Sequence, residues 1–378
     1  MHLGWLVTLM TALGIAYIVT GFPMEASYGD LTTAGLLPDV LHERANGWEA
    51  LHGNPYRPVG EVMVDHGYPT IAGGISVRTP AALLLQAPMS AVPDSMLLLV
   101  AVAGVVTLLI VCLALTIKIS NADARVIIWL GPAFFVSFPA VTAIGFGSVM
   151  VLIPVTLVLL GWAFRDREWS GVAFGLAAAS RLWPALIILG LWITGRRRAA
   201  LLAGATFVVA STLGLALPGV TIGGTVAALA TAGEYWITNP QNVSLAHVLE
   251  PLGISPMLAT VGGVLVGVGL ALWNRRLAIP ITSISALIAS PLSWPAYTIA
   301  ALPALVRRFG QTGSILLAVI AFPWVGWVLI PLAWRGYALF VSLIFLLLLV
   351  ALRPVEEETL APIGRDNRDS MVSLTAQP

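Results

Sequence analysis

The stretch Trp169-Ser170-Gly171-Val172-Ala173-Phe174-Gly175-Leu176-Ala177-Ala178-Ala179-Ser180-Arg181-Leu182-Trp183-Pro184-Ala185-Leu186-Ile187-Ile188-Leu189-Gly190-Leu191-Trp192-Ile193-Thr194 decides the fold of this chain. It is apolar or small throughout, apart from one cation, Arg181, near its middle. Arg165 and Arg167 precede it, and Arg196, Arg197 and Arg198 follow it. Basic clusters mark the cytoplasmic ends of membrane segments, so both ends lie on the same side. As helix, each half reaches only about 20 Å, against a hydrocarbon core of about 30 Å. The stretch therefore reads as a broken hairpin with its tip inside the membrane. Irregular backbone at that depth is tolerated only inside protein or along a wet cavity. A cation there costs a few kcal/mol on insertion scales and faces an interior partner. For Arg181 that partner is an anionic lipid phosphate or, in a purely structural role, a carboxylate such as Glu168 or Glu234.

Composition agrees. The chain has 378 residues, 58% hydrophobic and 10% charged, with a mean hydropathy of +0.93. Soluble domains carry about 25% charged residues, so this one cannot cover a water-facing surface. A net charge of +1 gives no field for nucleic acid. The single Cys112 excludes an intrachain disulfide and a cysteine metal cluster, and reads as a small buried hydrophobe. The first twenty residues lack a basic flank and a cleavage site, and read as a retained helix rather than a signal peptide.

Working outward, helix one spans roughly residues 3–23. Further spans fall at about 96–118, 126–139, 148–164, 199–217, 257–273, 315–330 and 334–352. A second broken pair, about 277–289 and 294–306, is divided by Ser290-Pro291-Leu292-Ser293. The basic clusters Lys118/Arg125, Arg165/Arg167, Arg196–Arg198, Arg275/Arg276, Arg307/Arg308 and Arg353 fall at alternate turns. They set both termini in the cytoplasm, with about 10–12 membrane segments. The expected architecture is all-α and polytopic over residues 1–353. A large extracytoplasmic first loop occupies 24–95 and a second 218–255; residues 354–378 form a disordered cytoplasmic tail. In the first loop, 79–92 is apolar but too short to cross, and reads as a half-buried interfacial helix.

On this topology the polar chemistry converges on the outer face. The first loop holds Glu25, Asp30, Asp39, Glu43, Glu49, Glu61, Asp65 and Asp94, against Arg44, Arg57 and Arg78. Asp30, soon after helix one, can be a base, a cation ligand or a solvated charge; the remaining acids read as solvated surface. Trp48 to Tyr56 mixes rings and amides that suit sugar faces, or an interfacial turn. His66 and Tyr68 match no zinc motif, which leaves hydrogen bonding. In the second loop, Asn239-Pro240-Gln241-Asn242-Val243-Ser244 is rich in amides and hydroxyls, as a binding tract or as a turn with a helix cap. No phosphate loop or Asp-x-Asp motif marks a nucleotide enzyme, and glycines inside helices are explained by close packing.

In order, Gly29-Asp30-Leu31, Gly53-Asn54-Pro55-Tyr56, Arg78-Thr79-Pro80 through Pro88, Gly171 to Pro184, Asn239 to Leu245 and Ser290-Pro291-Leu292-Ser293-Trp294 resemble glycosyltransferase family 87, of the GT-C membrane glycosyltransferases. Arg181 stands where that family more often has Lys, and Pro295 where it often has His. The resemblance implies a polyprenyl-phosphate sugar donor, usually mannose or arabinofuranose. It also implies transfer on the outer face and an aspartate base that maps onto Asp30. The donor is then a co-substrate, with no cofactor or metal, and the acceptor is a glycolipid or glycan of the cell envelope. Arg181 and Arg78 would hold the phosphate, with His66 and Asn242 as helpers, and Tyr56, Asn242 and Ser293 would line the sugar site. Two rivals share these features. A transporter or flippase for a lipid-linked sugar also uses broken helices, but the halves show no convincing repeat. A non-catalytic assembly subunit is the other.

Overall fold

The computed structural model describes residues 38–68, 78–121, 124–147, 149–312 and 315–352. The expected first helix, Asp30 and the tail lie outside them. Among the described residues all regular structure is helical, and the chain is an all-α membrane protein.

Asp94–Ser120 is the longest helix, with 27 residues. At 1.5 Å per residue it spans about 40 Å, enough to cross a bilayer. Leu97, Ala101, Val105, Leu109 and Cys112 are buried along one seam. The opposite side exposes Leu99, Val102, Val106 and Ile110, an apolar face suited to lipid. Asn121 ends the helix in the left-handed region and returns its N–H to Ile117. Pro256–Trp273 and Ala333–Ala351 are also long and apolar enough to cross.

Both broken pairs are present. Ser170–Ser180 and Ala185–Ile193 are separated at Arg181, whose backbone is extended at φ −149°, ψ 135°. Ala278–Ala289 stops at Ser290, and the chain resumes as a 3-10 turn, Pro295–Ala301, before Leu302–Thr312. Pro184, Pro291 and Pro295 have no N–H to continue a helical ladder. Each pair is sealed to a full-length neighbour by small residues. A Cβ on Gly171 or Gly175 would lie 2.2 and 2.4 Å from the carbonyls of Ala199 and Ala203 on Arg197–Gly214. Gly263 and Gly267 likewise abut Ala289 and Ser285.

Some elements differ from the sequence expectation. The span at 126–139 is two helices, Ala124–Phe135 and Phe138–Phe146, because Ser137 turns the chain and Pro139 opens the second. The span at 315–330 is helical over Ile315–Val325 and ends in a 3-10 turn. In the 79–92 segment, Pro80–Gln86 is helical and its covered side meets protein. A Cβ on Gly214 would lie 2.2 Å from the Pro80 carbonyl, and one on Gly47 2.3 Å from that of Gln86. Leu85 remains exposed. At the basic end, Arg196 pairs with Asp166 at 2.8 Å and Arg198 with Glu168 at 3.0 Å. Glu168 therefore serves Arg198 and lies at the opposite end of Ser170–Ser180 from Arg181; the Glu234 side chain is outside the described set.

Candidate active site

The tips of the two broken pairs lie side by side. The Trp183 ring of the first sits 5.7 Å from the Tyr297 ring of the second. The first loop closes onto the same place. The Thr79 hydroxyl lies 2.5 Å from the Ala179 carbonyl and 3.1 Å from that of Ser180, and also caps the helix at Ala82. This joint brings together Arg78, the residue before Thr79, and Arg181, the residue after Ser180. Both are buried. Arg78 Nε has no partner among the described residues. Each guanidinium, buried with little solvent, is suited to hold an anion.

The third wall is the helix Pro38–His52. Asp39, His42, Glu43 and Asn46 follow i, i+3, i+4, i+7 spacing and share one face. His42, Glu43 and Asn46 are buried. Burial first, and then the Arg181 charge, lowers the His42 pKa to about 4. Burial, and then Asp39, pushes Glu43 well above the usual carboxylate range, against the opposing Met150 hydrogen bond and Arg181. Burial thus favours the uncharged form of His42 and the protonated form of Glu43. Glu43 Oε1 accepts the Met150 N–H at 3.0 Å, which anchors Val149–Ala163. Glu43 Oε2 and His42 Nε2 are enclosed, with no hydrogen-bond partner among the described residues. Tyr297 lies within electrostatic reach of Arg181, Asp39 and Glu43. Arg181, the half-buried Asp39, His42 and Glu43 are thus linked electrostatically around Tyr297.

Asn242 and Ser293 also meet. The Asn242 amide donates to the carbonyls of Pro291 at 3.0 Å and Trp236 at 3.4 Å. Its oxygen accepts from the backbone N–H groups of Ser293 at 3.1 Å and Ser244 at 3.2 Å. The amide is spent on backbone and clamps the second loop to the second broken pair. Val243 N–H closes the clamp by donating to the Ser293 carbonyl at 2.7 Å. The Ser293 hydroxyl is buried with no hydrogen-bond partner among the described residues.

Tyr56 and His66 are engaged elsewhere in the first loop. The Tyr56 hydroxyl meets Thr225 at 2.6 Å, and its ring fills the space above Gly224, tying the first loop to the second. His66 Nε2 lies 3.4 Å from Glu49. Glu49 also takes Arg57 at 3.0 Å and the Asn54 N–H at 2.8 Å, while Arg57 reaches Asp65 at 2.7 Å. Glu49 and Glu43 are buried structural or site groups rather than solvated charges, and Asp94 pairs with Arg44. The sequence reading missed Asp39, His42 and Glu43. A usable signal was present: Pro38-Asp39 opens a helix with proline and acid in its first turn, and the run lasts to His52 before Gly53.

The described bundle is all-helical and carries buried arginines at the joint of the first loop with the first broken pair, and its class, the glycosyltransferases, comes from the family comparison. The glycosyltransferase family 87 model matches residues 78–291, more than half of the chain, which belongs to that family. The chain is 26% identical over 316 residues to the polyprenol-phosphate-mannose-dependent alpha-(1-2)-phosphatidylinositol mannoside mannosyltransferase of Mycobacterium tuberculosis, covering 68% of this chain and 71% of that relative. No solved structure matches.

Proposed function

We propose that this protein is an inverting glycosyltransferase. It moves a sugar, mannose on the closest chemical reading, from a polyprenyl-phosphate donor to a glycolipid or glycan acceptor at the outer face of the membrane. The observation that carries this reading is the junction of Arg78 and Arg181 beneath the Asp39–Asn46 helix face. The relative's printed name supplies the donor class and a phosphatidylinositol mannoside as the kind of acceptor. Soluble nucleotide sugars are not available outside the membrane, and the basic clusters on the opposite turns support the outer-face orientation.

In a single displacement an acceptor oxygen attacks the anomeric carbon as the bond from that carbon to the donor phosphate breaks. The acceptor proton passes to a carboxylate, and the polyprenyl phosphate leaves with the bonding pair. Arg181 and Arg78 face the charge that grows on the leaving phosphate. Asp39 is a first-loop carboxylate that shares Tyr297 and Glu43 with Arg181 as electrostatic neighbours, and we assign it the proton; Asp30 is the other candidate. A placed base contributes about 10²–10⁴-fold. His42 and Glu43 are suited to hydrogen bonds with sugar hydroxyls, with the Ser293 hydroxyl as a further donor. Asn242 positions Ser293. Tyr56 and His66 act through the shape of the first loop.

The test is incubation of the purified protein in vesicles with defined polyprenyl-phosphate mannose and polyprenyl-phosphate arabinofuranose, followed by product analysis. A glycosidic product with free polyprenyl phosphate supports the reading. Labelled donor that crosses the bilayer intact, without product, supports the flippase instead. Parallel Asp39→Asn and Asp30→Asn variants assign the base: loss with Asp30→Asn and normal transfer with Asp39→Asn moves it to Asp30.

A further inference from the structure

The basic end of the bundle carries a pocket that transfer at the other end does not use. It has a volume of about 430 Å³ and is lined by Arg165, Asp166, Arg167, Glu168, Gly195, Arg196, Arg197 and Arg198 with Ala199. Five arginines and two acids leave a net charge of +3 in one concavity. The two acids are engaged: Asp166 takes Arg196 at 2.8 Å, and Glu168 takes Arg198 at 3.0 Å. The Arg196 side chain also donates to the Arg165 carbonyl, which ties the two basic turns together. The two acids balance only two of the five arginines, so positive charge stays in excess across a tied frame. The positive-inside rule accounts for basic residues on these turns. It does not account for their folding into one concave pocket with both acids held at its edge.

The surroundings indicate the depth. Trp169 and Trp192 flank the pocket and are exposed, as aromatic residues at the headgroup level are. The Arg197 guanidinium lies 5.7 Å from the Trp192 ring. Leu201 and Leu202, one turn into the following helix, are also exposed and continue as an apolar surface. A ligand seated here has a polyanionic head among arginines and acyl chains against leucine. Guanidinium groups match phosphate oxygens by paired hydrogen bonds, and a soluble anion would use the arginines but not the apolar rim.

We propose that this arginine pocket is a binding site for the phosphate headgroup of an anionic membrane phospholipid, at the membrane face opposite the transfer centre. The headgroup phosphate lies in this net positive concavity, against Arg167 and Arg197. The Arg196–Asp166 and Arg198–Glu168 pairs hold the frame.

The test uses the full chain in detergent, stripped of lipid, with native mass spectrometry and a titration of spin-labelled lipids. The wild type is expected to retain phosphatidylglycerol-type or phosphatidylinositol-type lipid about tenfold or more over phosphatidylcholine, with affinity that falls as salt rises. The triple variant Arg165→Gln/Arg167→Gln/Arg197→Gln is expected to lose that preference. A Lys triple variant at the same positions keeps the charge, and therefore the insertion topology, and is expected to retain weaker binding. Arg275→Gln/Arg276→Gln, on another basic turn, is expected to bind as the wild type does. Equal binding of anionic and zwitterionic lipid overturns the proposal. So does an unchanged triple variant, or equal loss in the Arg275/Arg276 control. Competition by inorganic phosphate as effective as that of the phospholipid overturns the lipid assignment in favour of a soluble anion.

Discussion

Asn242→Ala separates a sugar-contacting amide from a clamp. The substitution removes two donated bonds, to Pro291 at 3.0 Å and Trp236 at 3.4 Å, and two accepted ones, from Ser293 and Ser244. Each intramolecular hydrogen bond contributes about 1 kcal/mol net, and an orphaned buried N–H costs about 1–3 kcal/mol. The 3.4 Å bond is weak, and the Pro291 carbonyl keeps the Ser244 hydroxyl as a second donor. A loss of about 3 kcal/mol follows, equivalent to a melting shift of roughly 3–5 °C for a chain of this size. Asn242→Asp keeps both acceptor functions but turns an oxygen toward the Pro291 carbonyl, so it is expected to lose a similar amount. The assay is thermal unfolding of the purified protein by retention of monodisperse material, run beside donor affinity at a temperature where all variants are folded. If Asn242→Ala melts within a degree of the wild type but binds donor tenfold more weakly, the amide is a sugar ligand and the clamp argument fails.

Gly171→Val puts side-chain carbons into the Ala199 carbonyl and forces the seam open, with a loss of several kcal/mol by overpacking. Gly204→Ala meets nothing within 4 Å and is expected to be neutral or slightly stabilising, so equal melting of the two variants would sink the seam argument. Tyr56→Phe deletes the bond to Thr225 and is expected to cost about 1 kcal/mol in melting experiments. An unchanged KM for the donor accompanies it if Tyr56 acts through loop shape, and a large rise would place it on the sugar. Stability is also expected to depend on pH in two opposed ways. His42, lowered to about 4, contributes stability that is complete above its unfolded value of 6.5 and lost as pH falls from there toward 4, by up to about 3 kcal/mol. Glu43, raised, contributes stability that is complete below its unfolded value and is lost as pH rises through its folded one. Replacing Glu43 by Gln should flatten the alkaline limb and His42 by Gln the acidic one; unfolding curves that keep both limbs in the double variant would refute the assignment.

Much of this architecture is legible in the chain because the membrane makes hydrophobic length and charge sidedness decisive. The broken pair around Arg181 follows from its length, its flanking arginines and its one internal cation. The convergence of Arg78 with Arg181 follows from sidedness, although the bond that makes it, Thr79 to Ala179, joins residues a hundred positions apart and has no local signature. Asp39, His42 and Glu43 were hidden because a loop acid in a water-facing segment is ordinarily a solvated charge. Whether a helix face is buried depends on what covers it, here Arg181, the Met150 N–H and Tyr297 from distant parts of the chain. Asn242 shows the converse. An amide in a polar tract invites a ligand, but its capacity is spent on backbone that the second broken pair brings in. Pro132 and Pro139 marked the interrupted span, yet apolar periodicity alone read through them.

The central claim is that Asp39 takes the proton of an acceptor hydroxyl during transfer from a lipid-phosphate sugar. The most direct measurement is single-turnover transfer from polyprenyl-phosphate mannose by Asp39→Asn, with bound donor quantified in the same sample. The account predicts that the variant remains folded and loaded with donor while the transfer step slows by about 10²–10⁴-fold. Transfer at the wild-type rate by a folded, donor-loaded Asp39→Asn would contradict it.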